Sequence, residues 1–146
     1  MVTTIIGDIL EYIDSGFIVH QCNCVTRSAK GLAKKIFDKY PEANIYSDGT
    51  VRRSGDVIIR GRIINLIGQY YPGKPKYKND TREIRENNFN NALKKIQLII
   101  PEHSKIYFPY NIGCGLAGGN WNNNFNMIKL FAKNNPKLNV VIVKPD

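Results

Sequence analysis

The sequence has few cysteines and no long apolar run. Three cysteines among 146 residues are an odd number, and no basic segment followed by an apolar stretch follows Met1. A disulfide-held secreted protein is therefore not expected, and reduced thiols in the cytoplasm are the expectation. No stretch approaches the roughly 18 apolar residues of a membrane span, so we predict a soluble protein without a membrane partner.

Acidic residues are also scarce. The chain has 12 Asp and Glu against 21 Lys and Arg, which gives a formal net charge of +9. This balance favours anionic ligands without identifying them. The length of 146 residues and the 42% hydrophobic content fit one domain over residues 1–146, with a core that needs neither metal nor disulfide.

Short β-branched runs alternate with amphipathic segments along the chain. The pattern predicts strands at 2–6, 16–22, 57–59, 63–67, 105–109 and 138–143, and helices at 30–40, 81–100 and 121–133. The strands at 57–59 and 63–67 are expected to pair as a hairpin. Asp80 is the expected N-cap of the second helix, with Ile84, Ala92, Leu93, Ile96, Ile99 and Ile100 as its core stripe. The fold class is α/β, with a mixed or mainly parallel sheet of about six strands covered by helices on both faces.

Ligands of such sheets bind at the carboxyl ends of the strands. Two unusual segments follow strands here. One runs from His20 to Gly31, and the other runs from Tyr110 to Trp121. Candidate functional residues are therefore expected in these two segments.

The second segment contains a glycine loop, residues 111–120. Gly113, Gly115 and Gly118 match G-x-G-x-x-G between a strand and a helix, where backbone N–H groups can bind a pyrophosphate. A dinucleotide-binding unit also needs an acid about 20 residues later, and none is present. No Lys-Ser or Lys-Thr follows, which excludes a nucleoside-triphosphate P-loop. A simple tight turn is the alternative, but four glycines in seven residues favour close approach of a ligand.

The first segment contains a polar loop, residues 23–30, which we call the first loop. Its Asn23 follows a buried strand, and Thr26, Arg27, Ser28 and Lys30 follow. Such residues often only cap the backbone. The sequence of this loop alone leaves capping and ligand binding open.

Three separated motifs occur in order along nearly the whole chain. They are Gly7-Asp8-Ile9-Leu10, Val19-His20-Gln21-Cys22-Asn23-Cys24 and Ile112-Gly113-Cys114-Gly115-Leu116. Together they resemble the macro domain, an ADP-ribose-binding family. The resemblance implies a three-layer α/β/α fold with ADP-ribose in a cleft over the sheet.

The resemblance also implies roles for individual residues. Asp8 and the Ile9 backbone would bind adenine, and Asn23 would hold the distal ribose. The diphosphate would lie between two groups, Ile112, Gly113, Cys114, Gly115, Leu116 and Gly118 on one side and Ser28, Lys30, Gly31 and Leu32 on the other. The wall of the adenine pocket would come from Tyr110, Phe125 or Tyr70.

The motif around His20 is most similar to the branch of ADP-ribose 1″-phosphate phosphatases. This similarity implies metal-independent, cofactor-free hydrolysis, with His20 as general acid, base or nucleophile and Asn23 orienting the ribose. A buried structural histidine is the alternative. Another branch removes ADP-ribose from modified protein or nucleic acid with a lysine and an aspartate, but those places hold Gln69 and Ala117, which disfavours the lysine mechanism. Hydrolysis of such ADP-ribosylated macromolecules by a water activated elsewhere in the cleft stays an alternative.

Three further alternatives remain. The same cleft would serve a reader that binds ADP-ribose without turnover. The basic, tyrosine-bearing segment 60–78 suggests a nucleic-acid partner, which ranks last because the charge also suits an anionic nucleotide. Zinc is disfavoured, since His20, Cys22, Cys24 and Cys114 lack the spacing of a zinc site.

Overall fold

A computed structural model describes all 146 residues. Six strands form one sheet, and their bounds are β1 (Val2–Ile6), β2 (Phe17–Cys22), β3 (Val57–Arg60), β4 (Ile63–Ile67), β5 (Lys105–Pro109) and β6 (Asn139–Lys144). Their order across the sheet is β1-β6-β5-β2-β4-β3. All pairs are parallel except the predicted hairpin of β3 and β4.

Three α-helices connect the strands: α1 (Gly31–Lys39), α2 (Arg82–Ile99) and α3 (Trp121–Asn134). The sheet and helices confirm the predicted α/β/α fold class. Two 3-10 helices, Ile9–Tyr12 and Pro41–Ala43, were not predicted because four and three residues are too short for a periodic pattern.

The start of α2 differs from the prediction by one residue. The N-cap is Thr81, whose hydroxyl accepts from the Ile84 N–H at 3.1 Å. Asp80 lies one residue earlier and is fully buried, where it pairs with Arg85. The prediction for Asp80 was therefore wrong, because a tertiary ion pair uses its carboxylate.

The hydrophobic core has two layers, one on each face of the sheet. Helices α2 and α3 cover one face with Phe89, Leu93, Ile96, Ile128 and Phe131, and α1 with the 3-10 helices covers the other. The predicted stripe of α2 was wrong at Ile99, which is 56% exposed, and it missed the buried Phe89.

The face on the α1 side is incompletely covered near the beginnings of β1, β5 and β6. A groove of about 320 Å³ lies there, and its lining includes Thr3, Ile5, Tyr12, Tyr107 and Val141. This groove is at the opposite edge of the sheet from the predicted ligand site. None of the three helices has the length and apolar content needed to cross a membrane.

Candidate functional site

Five parallel strands bring the three sequence motifs to one edge of the sheet. Asp8 follows β1, Asn23 follows β2 and the glycine loop follows β5. Three inter-strand spacings of about 4.8 Å separate β1 from β2, so the first two motifs are about 14 Å apart across the sheet. The glycine loop lies between them.

The glycine loop presents unused backbone donors. Three of its amides bond within the loop, since Cys114, Gly118 and Gly119 donate to Asn111, Gly115 and Gly113 at 2.9–3.1 Å. Six others have no acceptor in the chain, and four of these lie within the five residues 113–117, at Gly113, Gly115, Leu116 and Ala117. Clustered free amides of this kind bind anions.

Three of the four glycines in this loop are required by close contacts within the chain itself, which the sequence did not indicate. Gly113 has φ +74°, and a Cβ there would lie 2.7 Å from the Gln21 Oε1 atom. A Cβ on Gly119 would lie 2.6 Å from the Gly113 carbonyl oxygen, and one on Gly118 would lie 2.8 Å from the Lys74 side chain. A Cβ on Gly115 would meet nothing within 4 Å. Of these four glycines, therefore, Gly115 is the one left open to a ligand.

Buried polar side chains that were not among the predicted site residues hold the glycine loop in place. The Asn124 Nδ2 atom donates to the Ile112 carbonyl at 3.0 Å, and the Arg85 guanidinium donates to the Ala117 carbonyl at 3.2 Å. The Gln21 side chain packs against Gly113 and donates to Gln69 at 2.5 Å. Arg85 and Asn124 are polar residues at helix positions that face the core, and this pattern is the sequence signal by which they could have been found.

Arg85 also joins the glycine loop to the segment 71–80. It makes two hydrogen bonds to Asp80, at 2.7 and 2.9 Å, and donates to the carbonyls of Tyr71 and Gly73. Burial acts to raise the pKa of Asp80, but the hydrogen bonds and charge of Arg85 outweigh it and hold that pKa below its ordinary value. The carboxylate therefore stays ionised, and the pair acts as one buried anchor.

The first loop is fixed at its beginning. The Asn23 Oδ1 atom accepts from the N–H groups of Val25 and Thr26 at 3.1 and 2.8 Å, so the capping role is present. Its Nδ2 atom has no partner within the chain. The side chains of Ser28 and Lys30 are exposed and make no hydrogen bond, whereas Leu32 packs against the core.

The two loops approach each other across the site. A Cβ placed on Gly31, at the start of α1, would lie 4.0 Å from the Leu116 Cδ1 atom. Leu116 is 71% exposed. The space between the loops is therefore narrow at this point, and the Leu116 side chain borders it.

At the β1 end of the site, Asp8 is exposed and its Oδ1 atom accepts from the Leu10 N–H at 3.0 Å. Its second oxygen and the Ile9 N–H have no partner. The carboxylate therefore caps the 3-10 helix and keeps one acceptor available.

Tyr110 is the aromatic residue beside this end. Its ring packs against Trp121 with centroids 5.0 Å apart, and Trp121 stacks on Phe125 at 5.2 Å. Tyr70 lies elsewhere, because it follows β4 and packs against Tyr71 at 4.7 Å. This placement corrects the inclusion of Tyr70 among the candidates for the adenine wall.

His20 lies inside the core, 1% exposed. Its Nε2 atom is 2.5 Å from the Asn65 Oδ1 atom, and Asn65 donates its Nδ2 to the carbonyls of Ala43 and Ile58. This pattern assigns the proton to Nε2 of the imidazole. Burial lowers the pKa of His20 to about 4. The imidazole is neutral and touches no open space, so the predicted direct role in proton or phosphoryl transfer disagrees with this geometry.

The three thiols are free and protonated at neutral pH. Burial raises the pKa of Cys22 to about 12 and that of Cys114 to about 11, and it also raises the pKa of Cys24. None is therefore activated as a nucleophile. No group of three or more His, Cys, Asp and Glu residues is arranged to hold a metal ion.

The cations around the site lie in two acid-free segments. No Asp or Glu occurs at 24–37 or 69–79, and these segments carry Arg27, Lys30, Lys34, Lys35, Lys74, Lys76 and Lys78. Gln69, which begins the second segment and stands at the place of the lysine in the other branch, is buried and donates to the Tyr71 carbonyl at 2.9 Å. The β2–β4 side of the site is therefore positively charged, which suits an anion.

Solved structures with this architecture include two macrodomains of DarG. The one from Mycobacterium tuberculosis superposes with a TM-score of 0.78 at 21% identity, covering 100% of this chain and 99% of that one. The one from Thermus aquaticus has a TM-score of 0.74 at 20% identity, with 98% and 97% covered. A Bacteroides thetaiotaomicron protein of unknown function has a TM-score of 0.76 at 27% identity, with 99% and 98% covered.

In sequence, the chain is similar to an ADP-ribose 1″-phosphate phosphatase of Neosartorya fischeri. The identity is 28% over 108 residues, which are 74% of this chain and 44% of that protein. The chain thus spans less than half of that relative's length. No protein-family model matches the chain. The structural matches confirm the fold that the resemblance in the sequence implies: the chain has the macrodomain fold.

Proposed function

We propose that this chain binds ADP-ribose or a derivative and hydrolyses ADP-ribose 1″-phosphate to ADP-ribose and phosphate. The observation that carries the proposal is the set of four unpartnered amides in the glycine loop. The glycine loop lies near the start of α1 at Leu116, and the Gly31, Leu32 and Ala33 N–H groups at that start also lack partners. A diphosphate between these two sets of donors would satisfy both, and the positive end of α1 favours its charge.

The adenine would lie at the β1 end. An adenine amino group donates to the free Asp8 oxygen, and the Ile9 N–H donates to the neighbouring ring nitrogen. The Tyr110 ring offers an aromatic surface for the base, since it is 37% exposed and backed by Trp121. In this arrangement Asp8 distinguishes adenine from bases that lack a donor at that place.

The terminal ribose would lie at the β2 end. The free Nδ2 atom of Asn23 is the donor for its hydroxyls, while Arg27 and Lys30 are cations on the same loop. A terminal phosphate is doubly charged near neutral pH, so this acid-free loop favours a phosphorylated sugar over a neutral one. The relative from Neosartorya fischeri, a phosphatase by name, supports the same choice.

In the proposed reaction water attacks phosphorus, the bond from phosphorus to the ribose oxygen breaks, and one proton of the water passes through solvent to that oxygen, so that ADP-ribose and phosphate leave. Asn23 orients the ribose, and the loop cations stabilise the charge that develops on the phosphoryl oxygens. His20 supports β2 from within the core and does not contact the substrate. The free thiols fit the cytoplasmic location that we propose for the reaction.

A reader without turnover is the second candidate. The burial of His20 favours it, because the imidazole predicted as acid or base does not reach the cleft. Both candidates predict binding of ADP-ribose. They differ in the release of phosphate.

The test combines calorimetry with ADP-ribose and ADP-ribose 1″-phosphate and a phosphate-release assay. The variant Asn23→Asp keeps the oxygen that caps Val25 and Thr26 but removes the amide donor. Asn139→Asp, at the opposite edge of the sheet, makes the same charge change as a control. We expect about a tenfold loss of affinity for Asn23→Asp only.

Each result separates the candidates. Phosphate release by the wild type, retained in a folded His20→Ala variant, supports hydrolysis without direct contact by His20. Tight binding with no release supports the reader. Absence of binding to either compound refutes both candidates.

A further inference from the structure

Two side chains from outside the first loop hold the backbone on both sides of Asn23. The Tyr46 hydroxyl oxygen accepts from the Asn23 N–H at 3.0 Å. The Arg52 guanidinium donates to the Asn23 carbonyl oxygen at 3.0 Å. The guanidinium carbon lies 4.6 Å from the centre of the Tyr46 ring, so the two side chains also pack on each other. We call these two residues the Asn23 clamp.

The clamp is rigid because its surroundings are packed. Tyr46 is 6% exposed, and its ring contacts Phe37 edge to face with centroids 5.3 Å apart. Burial raises the pKa of Tyr46 above its ordinary value, so its oxygen stays a neutral hydroxyl oxygen that accepts from an amide.

Arg52 has one feature that its structural contacts leave unexplained. Its Nε atom is buried and has no hydrogen-bond partner. A buried N–H without an acceptor is destabilising, and a shorter apolar side chain would avoid it. In its observed position the guanidinium group both donates to the Asn23 carbonyl and stacks on Tyr46, and lysine does not reproduce this combination.

The consequence for the site follows from the remaining bonds of Asn23. Its Oδ1 atom is occupied by Val25 and Thr26, and its two peptide groups are occupied by the clamp. The Nδ2 atom is the one polar group of this residue left over, and its direction is set by all four bonds. We propose that Tyr46 and Arg52 are positioning residues that aim the Asn23 amide at the terminal sugar of the ligand.

This inference rests on the proposed function, and it makes a prediction about selectivity. ADP contains the adenosine and the diphosphate but lacks the terminal ribose. A misdirected Asn23 amide therefore weakens ADP-ribose binding and leaves ADP binding unchanged. If the clamp only stabilised the fold, breaking it would lower the affinities for ADP and ADP-ribose alike or would leave both unchanged.

The experiment measures the affinities of the full chain for ADP-ribose and ADP by calorimetry. The test variants are Tyr46→Phe, which removes a single oxygen atom, and Arg52→Gln. Two controls break comparable contacts elsewhere: Tyr107→Phe loses a 2.8 Å hydrogen bond to Ser15, and Arg62→Gln loses a 3.1 Å hydrogen bond to the Ile13 carbonyl. We expect about a tenfold weaker affinity for ADP-ribose in the test variants and a change within about twofold for ADP.

A double-mutant cycle sharpens the result. Tyr46→Phe should have no further effect on ADP-ribose affinity when Asn23 is already Asp, since the donor that it positions is gone. Equal losses for ADP and ADP-ribose, an unchanged ADP-ribose affinity or full additivity would each overturn the inference alone. A wild type that binds neither compound would refute the proposed function, and this inference with it.

Discussion

The glycine loop and the first loop face each other across the site, but they differ in how much of each is held by hydrogen bonds. Side chains from three elements of the fold hold the glycine loop, namely Gln21, Arg85 and Asn124. The first loop is anchored at Asn23, and its residues Arg27, Ser28 and Ala29 make no hydrogen bond at all. The donors that we propose for a diphosphate are therefore fixed in advance, and so is Asn23, whereas residues 27–29 of the first loop have no hydrogen bonds to hold them.

The largest expected effect tests the anchor of the glycine loop. Arg85→Met leaves the buried Asp80 carboxylate without its partner, which should lower the free energy of unfolding by about 3–5 kcal/mol. Urea denaturation measures this loss. Lys95→Met, which breaks the half-exposed bridge to Asp56, should cost less than about 1 kcal/mol. Similar losses in both variants would show that the Arg85 pair is not an anchor.

A smaller effect concerns the core beneath the first loop and depends on pH. The folded protein keeps His20 neutral down to about pH 4, whereas the unfolded chain binds a proton below about pH 6.5. Stability is therefore full above about pH 6.5 and falls as the pH drops toward 4, by about 3 kcal/mol in all.

The measurement is denaturation at pH 7 and at pH 4.5. His20→Gln should flatten the dependence on pH, and His103→Gln, at the exposed second histidine, should leave it unchanged. An equally steep dependence in His20→Gln would place the titrating group elsewhere.

Two glycines of the same loop provide the next contrast. Gly113→Ala forces a side chain into a left-handed conformation against Gln21, so we expect a loss of about 2 kcal/mol in stability. Gly115→Ala points into open space and should change stability by less than about 1 kcal/mol. It should weaken ADP-ribose binding, because its Cβ would intrude where the ligand approaches. Unchanged affinity in Gly115→Ala would argue against a ligand on this side.

The smallest effect is expected in the first loop itself. Ser28→Ala removes a side chain that is exposed and unbonded, so the free energy of unfolding should change by less than about 0.5 kcal/mol. A loss above 1 kcal/mol in thermal or urea unfolding would mean that the loop is as firmly held as the glycine loop, and the contrast would fail.

Most of the fold could be predicted from the sequence because the hydrophobic periodicity of each segment and the residues that end it indicate the same helices and strands. Short β-branched runs became strands, and Pro41 and Pro101 follow the ends of two helices as expected. The wrong predictions concern residues whose environment is determined by tertiary contacts. Asp80 looked like a cap but is buried by its pairing with Arg85, and Ile99 fits the helical stripe but is exposed at the last residue of α2, where the next residue, Ile100, enters the core instead.

The position of the three motifs at one edge of the sheet was predictable, but the side chains that hold them there were not. Motif positions at strand ends place Asp8, Asn23 and the glycine loop on one edge. Hydrogen bonds between residues distant in sequence, such as Arg52 to Asn23 or Arg85 to Ala117, leave no local pattern. The burial of His20 had the same cause, because its partner Asn65 lies on a strand that only the sheet order brings alongside.

The parallel sheet also bears on how readily such a protein changes its ligand. Five strands end at one edge while both layers of the core pack on the faces of the sheet. The first loop can therefore be shortened, lengthened or exchanged from residue 25 to residue 28 without repacking either layer. New terminal groups would then be accommodated by grafting one peptide segment onto an unaltered scaffold.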